Sequence, residues 1–324
     1  MDDVRLGATN LWTSRIGFGA MGIGSPEWRS WVLDGEAGVP IIERAVELGI
    51  RFFDTSNFYS AGESERILGA ALKRLLPRED YLLATKVGNQ MGTARTTGGY
   101  SRKHILAAVD DSLRRLGTDY LDLYQTHVWR EDTNIEETLG ALDALVDSGK
   151  VRYLGATDMP VWQFAKFFYE ARSLGWRRLH TMQHHYNLVW REPESELMPM
   201  CRAEGIGLLP YSPFARGFLA GDPRGHDRDT ERGRSDDYSR KWFGRDSDQD
   251  VLRKLLAVAD ARGATPAAVA LAWVLEKSPT GVPLIGATSV GQLDVVEEAL
   301  RIQLLPEEIT ELESRYVARL RYGH

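Results

Sequence analysis

Helical and strand patterns alternate through residues 101–157, SRKHILAAVDDSLRRLGTDYLDLYQTHVWREDTNIEETLGALDALVDSGKVRYLGAT. Ser101 is typical of a helix N-cap, the apolar residues after it recur at helical spacing, and Gly117 is typical of a C-cap. The run 121–126 has the length and apolar content of a buried strand, and a second amphipathic helix follows it and ends near Gly149. This stretch therefore predicts an α/β protein.

The same alternation continues on both sides of this stretch. An N-terminal β-hairpin is predicted near residues 4–15, and eight strands follow, at 16–20, 50–54, 81–86, 121–126, 151–157, 181–185, 207–211 and 282–286. Helices are predicted near 36–49, 63–76, 101–116, 134–148, 160–174, 194–205, 248–277 with a break at Pro266, 289–300 and 306–317. Eight strands joined by helical crossovers close a barrel, whereas a doubly wound sheet more usually has five or six. We therefore predict a (β/α)8 TIM barrel that forms one domain over residues 1–324.

One segment interrupts this alternation. Residues 221–249 are polar, charged and glycine-containing, with little periodicity, which predicts a long loop after the seventh barrel strand. Because the loop follows the carboxyl end of a strand, it lies on the side of the barrel where active sites form. The sequence leaves two interpretations open, a lid over a ligand or a solvated surface insertion.

The composition excludes several classes of function. The 324 residues include 40 Lys and Arg against 46 Asp and Glu, and no basic tract occurs, so we expect no nucleic-acid partner. Cys201 is the only cysteine, which excludes an intrachain disulfide framework and a multi-cysteine metal site, and we predict no metal. The N-terminus lacks a signal-peptide pattern, and the longest apolar run, 267–275, is too short to cross a bilayer. We expect a cytoplasmic protein without a membrane partner.

Residues 17–22, GFGAMG, match the G-x-G-x-x-G pattern of dinucleotide-binding domains. In those domains the third glycine belongs to a helix, whereas Gly24, Ser25 and Pro26 follow here. We interpret the motif as the end of the first barrel strand, where Gly19 allows a ligand to approach the backbone.

Four polar residues lie at or just after the carboxyl ends of consecutive predicted strands. Asp54 ends the second barrel strand, Tyr59 follows it, Lys86 ends the third strand and His127 follows the fourth. In a barrel these ends meet at one mouth, so we expect the four side chains to form an acid–base set. The other interpretation is a buried Asp54–Lys86 ion pair beside ordinary polar residues, and spacing alone leaves both open.

The expected chemistry follows from charge. We expect the Lys86 ammonium, held by Asp54, to lower the pKa of the Tyr59 phenol below its ordinary value near 10. Tyr59 and His127 are then suited to stabilise and protonate the oxygen of a carbonyl that accepts a hydride.

The segment FFDTSNFYSAGESERILGAALK, residues 52–73, resembles the aldo-keto reductase signature. Similar stretches cover much of the rest of the chain, at 83–88, 112–127, 149–158, 182–192, 211–221 and 286–293. Within that family the chain most resembles bacterial aryl-alcohol-dehydrogenase-like reductases, which act on aldehydes and ketones with NADPH. The resemblance implies a catalytic tetrad of Asp54, Tyr59, Lys86 and His127, with Tyr59 as the general acid.

The resemblance also implies a cofactor site. Its nicotinamide part would comprise Gly19, Thr157, Asp158, Gln183 and the stacking ring of Tyr211; its phosphate and adenosine part would comprise Ser212, Phe214, Arg216, Gly217, Gly286, Thr288, Ser289 and Gln292. Thr157-Asp158 replaces a common Ser-Asn, and an aspartate cannot donate to the nicotinamide amide.

Cofactor specificity is less directly indicated. Ser289-Val290 stands where many relatives have an arginine or lysine for the 2′-phosphate. We expect NADPH, with NADH as the alternative, because other cations could supply the missing charge: Arg216, Arg232, Arg234, Arg240 or Lys241.

The substrate pocket is expected to be apolar and aromatic. Trp28, Phe58 and Trp129 lie in the loops after the first, second and fourth barrel strands, as does Trp31, which could equally pack on the barrel. We expect a small or aromatic carbonyl substrate. Two other functions stay open: a lyase with Lys86 as a Schiff-base amine, and a nicotinamide-binding sensor with little turnover. The sequence does not indicate an oligomeric state.

Overall fold

A two-stranded hairpin precedes a closed ring of eight strands in the computed structural model, which describes residues 1–222 and 230–319. The hairpin consists of β1 (Asp3–Arg5) and β2 (Trp12–Ser14). The barrel strands are β3 (Gly17–Gly19), β4 (Phe52–Asp54), β5 (Leu82–Val87), β6 (Leu121–Thr126), β7 (Val151–Thr157), β8 (Thr181–His185), β9 (Gly207–Tyr211) and β10 (Leu284–Ile285).

Helices surround the barrel. They are α1 (Gly35–Glu47), α2 (Glu63–Leu75), α3 (Arg102–Leu116), α4 (Ile135–Asp147), α5 (Val161–Ser173), α6 (Leu197–Glu204), α7 (Glu231–Ser235), α8 (Asp237–Trp242), α9 (Asp246–Arg262), α10 (Pro266–Lys277), α11 (Val295–Arg301) and α12 (Pro306–Glu313). The Ser101 side chain accepts from the His104 amide at the start of α3, and Gly117 ends that helix at φ 67°. Both predicted caps are therefore confirmed.

The strands pair in parallel in the order β3 to β9, and β10 closes the ring against β9 and β3. The predicted TIM barrel and its N-terminal hairpin are confirmed. Four central strands, β6 to β9, have the predicted bounds, whereas β10 spans only two residues within the predicted range 282–286. The motif at 17–22 is β3 followed by one short 3₁₀ turn, as interpreted from the sequence.

The prediction of an unstructured loop at 221–249 is wrong for part of its length. The segment contains α7, α8 and the first residues of α9, while residues 223–229 lie outside the described part of the chain. The Thr230 hydroxyl caps α7 by accepting from the Gly233 amide at 3.1 Å. Helices of five and six residues are too short to show a hydrophobic period, so the sequence pattern did not indicate them.

Inward-facing positions change from apolar to polar along the strands. A separate apolar cluster fills the barrel interior and comprises Leu6, Phe52, Leu82, Ala84, Leu123, Leu209, Val282 and Leu284. Because side chains alternate across a strand, the residues two positions beyond Phe52, Ala84 and Leu123 also face inward. Those residues are Asp54, Lys86 and Gln125, so strand periodicity places a polar layer at the carboxyl end of the barrel.

No single helix in the described ranges is long and apolar enough to span a bilayer. By length and composition alone, α9 and α10 together meet that requirement, but they are bent by 102° at the break between them. The α10 residues from Ala268 to Val274 are buried in the main core, which accounts for their apolar character.

Candidate active site

The Lys86 ammonium is the centre of the polar layer. It is fully buried, and it donates to the Asp54 carboxylate, to the Thr55 carbonyl at 2.8 Å and to the Tyr59 phenol oxygen at 3.3 Å. Burial lowers the pKa of Lys86, but the charge of Asp54 and the hydrogen bonds to Asp54 and Tyr59 more than offset this and the net pKa is raised. The lysine is therefore a permanent cation beneath the phenol.

Two amide side chains hold the other oxygen of Asp54. Gln125 Nε2 donates to Asp54 Oδ1 at 2.9 Å, and Gln183 Nε2 donates to the same atom at 3.0 Å. All three residues are buried. The carboxylate is thus fixed by three donors, because its second oxygen accepts from Lys86.

The Tyr59 phenol does not have the lowered pKa that the sequence led us to expect. Burial raises its pKa above 10.0, and the opposing effect of Lys86 only partly offsets this, while Asp54 raises it further. The expectation was wrong because it counted the ammonium but not the loss of water around the phenol. Tyr59 is therefore protonated at neutral pH.

His127 lies edge-on to Tyr59, with ring centroids 5.7 Å apart. Its Nδ1 lies 2.9 Å from Asn89 Nδ2 and 3.0 Å from Ser56 Oγ. An amide NH₂ can only donate, so this contact assigns the proton to Nε2. Burial lowers the pKa of His127 well below 6.5, and the charge of Lys86 lowers it further. The ring is a neutral donor beside the phenol.

An aromatic stack supports Tyr211 at the end of β9. The His185 ring lies parallel to Tyr211 at 5.1 Å, and Trp190 stacks on the other side of His185 at 4.7 Å. The Tyr211 phenol donates to both oxygens of Asp158, at 2.9 and 3.1 Å. Burial raises the pKa of Asp158 to about 7. A flat ring with an adjacent titratable carboxyl therefore faces the mouth of the barrel.

A cavity of about 670 Å3 opens at this mouth. It runs from the catalytic side to the segment after β10, and most of the candidate site residues line it: Gly19, Trp28, Asp54, Phe58, Tyr59, His127, Thr157, Asp158, Gln183, Tyr211, Ser212, Phe214, Arg216, Gly217, Gly286, Thr288 and Gln292. Lys86 lies beneath Tyr59 rather than on the wall. Ser289 does not line the cavity, and Trp129 lines a separate depression with Trp162.

Comparison with known proteins agrees with this architecture. The model of the aldo/keto reductase family matches residues 15–316. The chain belongs to the aldo/keto reductase family. It is 39% identical to the versiconal hemiacetal acetate reductase of Aspergillus parasiticus, over 98% of each chain. It is 36% identical to the aldo-keto reductase AMT2 of Alternaria alternata, over 99% of this chain and 93% of the relative. The protein is thus an oxidoreductase that acts on carbonyl and alcohol groups.

Aldo/keto reductases use a nicotinamide cofactor, and the cavity residues of this reductase fit one. In the described residues, the Thr157 hydroxyl and Arg216 Nη2 are buried without a hydrogen-bond partner. Thr157 ends β7 in register with Gln183 of β8, and Arg216 lies in the loop after β9; both residues line the cavity. Unpaired buried donors of this kind are suited to the amide and phosphate oxygens of a dinucleotide.

Left-handed backbone is concentrated at the mouth of this reductase. Among the described residues, six non-glycine positions have φ between 47° and 57°: Ser60, Ala61, Asp158, Ser212, Ala215 and Arg216. All six lie in loops at the carboxyl ends of β4, β7 and β9. Such conformations cost free energy and cluster at ligand sites, where they direct backbone groups toward the ligand.

Three residues of the site were missed by the sequence reasoning. Gln125 holds Asp54, while Asn89 and Ser56 orient His127. Gln125 could have been found, because it lies two positions before His127 and has the inward parity of Leu123. Nothing in the local pattern indicates Asn89, which reaches His127 only because the loops after β5 and β6 meet.

Proposed function

We propose that the protein reduces small or aromatic aldehydes and ketones with NADPH, with Tyr59 as the general acid. The proposal rests on one observation. The protonated phenol of Tyr59 and the neutral imidazole of His127 line the same cavity, above the buried Lys86–Asp54 ion pair. Trp28 and Phe58, whose rings lie 5.8 Å apart, supply an apolar wall for the substrate.

The neutral and the charged side chains have different roles in the proposed reaction. His127 Nε2–H and the Tyr59 hydroxyl donate to the substrate oxygen, which becomes more basic as a hydride reaches the carbonyl carbon. Tyr59 then gives its proton to that oxygen, and Lys86 stabilises the phenolate left behind. Asp54, fixed by its three donors, keeps Lys86 charged and in place.

The bound cofactor would supply the hydride, which no side chain can provide. Tyr211 would carry the nicotinamide ring, Gln183 and Asp158 would contact its amide, and the loop 212–217 would bind the pyrophosphate. Arg216 and Arg232 supply cations over this part of the cavity, where both pair with Asp236 at 2.8 and 3.3 Å. These cations and the resemblance to NADPH-dependent reductases support NADPH over NADH.

Turnover of an aromatic aldehyde tests the proposal. Purified protein should oxidise NADPH in the presence of 4-nitrobenzaldehyde, and kcat/KM should be higher with NADPH than with NADH. The loss of reduced-nicotinamide absorbance measures both. Tight binding of NADPH without turnover across a panel of aldehydes would instead support a sensor.

The structure argues against the lyase alternative. A Schiff-base lysine must lose its proton to attack a carbonyl, whereas Lys86 is buried, donates to three oxygens and has a raised pKa. Borohydride should therefore trap no substrate on Lys86.

The raised pKa of Asp158 leads to a prediction about cofactor binding. The protein around the cavity limits hydration of the Asp158 carboxyl and raises its pKa to about 7, although the side chain is exposed at the cavity surface, so the carboxyl becomes charged as the pH rises from 6 to 8. A negative charge beside the Tyr211 platform favours the oxidised, cationic nicotinamide over the reduced one. We expect the ratio of the NADPH Kd to the NADP⁺ Kd to increase by about tenfold over this range in the wild type.

The matched variant is Asp158→Asn, which keeps the shape and removes the titration. Its ratio of dissociation constants should stay constant from pH 6 to 8, as measured by calorimetry. Because both forms of the cofactor carry the same phosphates, the ratio cancels their own titration. An equal pH dependence in the variant and the wild type would assign the effect to another group.

A further inference from the structure

Arg29 lines the cavity but has no part in the proposed machinery. Its guanidinium carbon lies 4.4 Å from the Trp28 ring centre, 5.4 Å from that of Tyr238 and 5.9 Å from that of Trp31. Aromatic faces hold a guanidinium in place without neutralising it. Within residues 1–222 and 230–319, no carboxylate lies at ion-pair distance from Arg29.

The surroundings of Arg29 have an excess of positive charge. Asp236 is the nearby carboxylate, and a single oxygen of it already accepts from Arg216 and Arg232. Burial lowers the pKa of Arg29, and the charge of Arg216 lowers it further, while Asp236 opposes both. Among residues 1–222 and 230–319, three guanidinium groups thus lie near one carboxylate in a partly buried cavity, an arrangement that an anion would stabilise.

The location of Arg29 distinguishes it from the other two arginines. It follows Trp28 directly, and the Trp28 ring lies 6.0 Å from that of Tyr59 and 5.8 Å from that of Phe58. Together with the Arg29–Trp28 distance, this places the guanidinium within about 10 Å of the Tyr59 ring. An aromatic ring with para substituents can span such a separation. Arg216 and Arg232 instead belong to the loop after β9 and to α7.

We propose that Arg29 binds a carboxylate at the far end of the substrate, so that anionic aromatic carbonyl compounds are the preferred class. The planar guanidinium presents paired donors that match a carboxylate, and the Trp28 ring, which contacts both Arg29 and Tyr59, would flank the aromatic ring of the substrate. This inference rests on the proposed function, because Tyr59 and His127 define where that carbonyl lies.

Equilibrium binding tests the proposal independently of turnover. Wild type and Arg29→Met, both saturated with NADP⁺, are titrated calorimetrically with 4-formylbenzoate and with its methyl ester, two aldehydes that the oxidised cofactor cannot reduce. Methionine keeps an apolar stem against Trp28 and removes the charge. The control is Arg66→Met, which removes an exposed arginine of α2 that pairs with Glu63.

We expect the wild type to bind the carboxylate more tightly than the ester. Arg29→Met should raise the Kd of the carboxylate about tenfold or more, leave that of the ester within about twofold, and leave the Kd of NADP⁺ unchanged. Arg66→Met should change none of these values. Turnover of methyl 4-formylbenzoate by the wild type tests the proposed function separately, since it needs Tyr59 but not Arg29.

Three results would overturn the proposal: a wild type with no preference for the carboxylate, equal losses of affinity for both aldehydes in Arg29→Met, or a weakened affinity for NADP⁺ with an unchanged carboxylate-to-ester ratio. The last result would assign Arg29 to the phosphates of the cofactor.

Discussion

Tyr59→Phe should lower kcat for aldehyde reduction by a factor of about 100 or more while leaving the Kd of NADPH nearly unchanged. The variant loses one oxygen, and with it the only hydroxyl that Lys86 contacts in the described structure. The ring itself stays, so the packing against Trp28 and His127 is preserved. The rate is measured by single-turnover kinetics and the affinity by the fluorescence of the reduced nicotinamide.

A matched control for this variant is Tyr169→Phe. Tyr169 is half exposed on α5 and donates to Glu204, far from the cavity in the fold. Removal of the Tyr169 hydroxyl should leave kcat for aldehyde reduction unchanged. Wild-type turnover in Tyr59→Phe would refute the general-acid assignment and transfer that role to His127.

Lys86→Met should reduce both activity and stability. The substitution leaves Asp54 buried with a charge that only Gln125 and Gln183 stabilise. Breaking a buried ion pair from one side costs about 3–5 kcal/mol, so we expect a loss of that size in the free energy of unfolding. The loss is measured by urea denaturation, and the reduction rate should fall at least as far as in Tyr59→Phe.

The double variant Asp54→Asn/Lys86→Met separates charge from packing. It removes both charges, and we expect it to recover most of the lost stability but none of the activity, because the phenolate still lacks its cation. The control is Lys150→Met, which breaks an exposed ion pair with Asp110 and should cost less than about 1 kcal/mol. Equal stabilities of the single and double variants would show that Asp54 is uncharged when alone.

The fold could be predicted largely because its signals are local. Ser101 and Gly117 bound α3 through side-chain capping and a left-handed φ, and both effects act within a few residues. The helices at 231–242 could not be predicted, because their stability depends on a distant contact. Asp236, at the end of α7, is held by Arg216 from the loop after β9.

The same distinction between signals in the sequence and effects of distant contacts applies to the candidate site. The proximity of Asp54, Tyr59, Lys86 and His127 could be predicted because barrel topology brings the carboxyl ends of their strands together. The direction of the Tyr59 pKa shift was missed, since it depends on how much water the surrounding loops exclude, which no spacing reports. Arg29 was not singled out at all, because its significance is that no carboxylate of the described structure lies at ion-pair distance from it, which spacing in the sequence does not report.

The raised pKa of Tyr59 makes the rates of reduction and oxidation depend differently on pH. Burial, only partly opposed by Lys86, keeps the hydroxyl proton in place throughout the neutral range. Carbonyl reduction requires the protonated phenol, which is the form present at neutral pH. Alcohol oxidation requires the phenolate, which forms only at higher pH. Exclusion of water from one phenol thus sets different pH optima for the two directions of the reaction, with reduction fastest at the lower pH, while the equilibrium itself is unchanged.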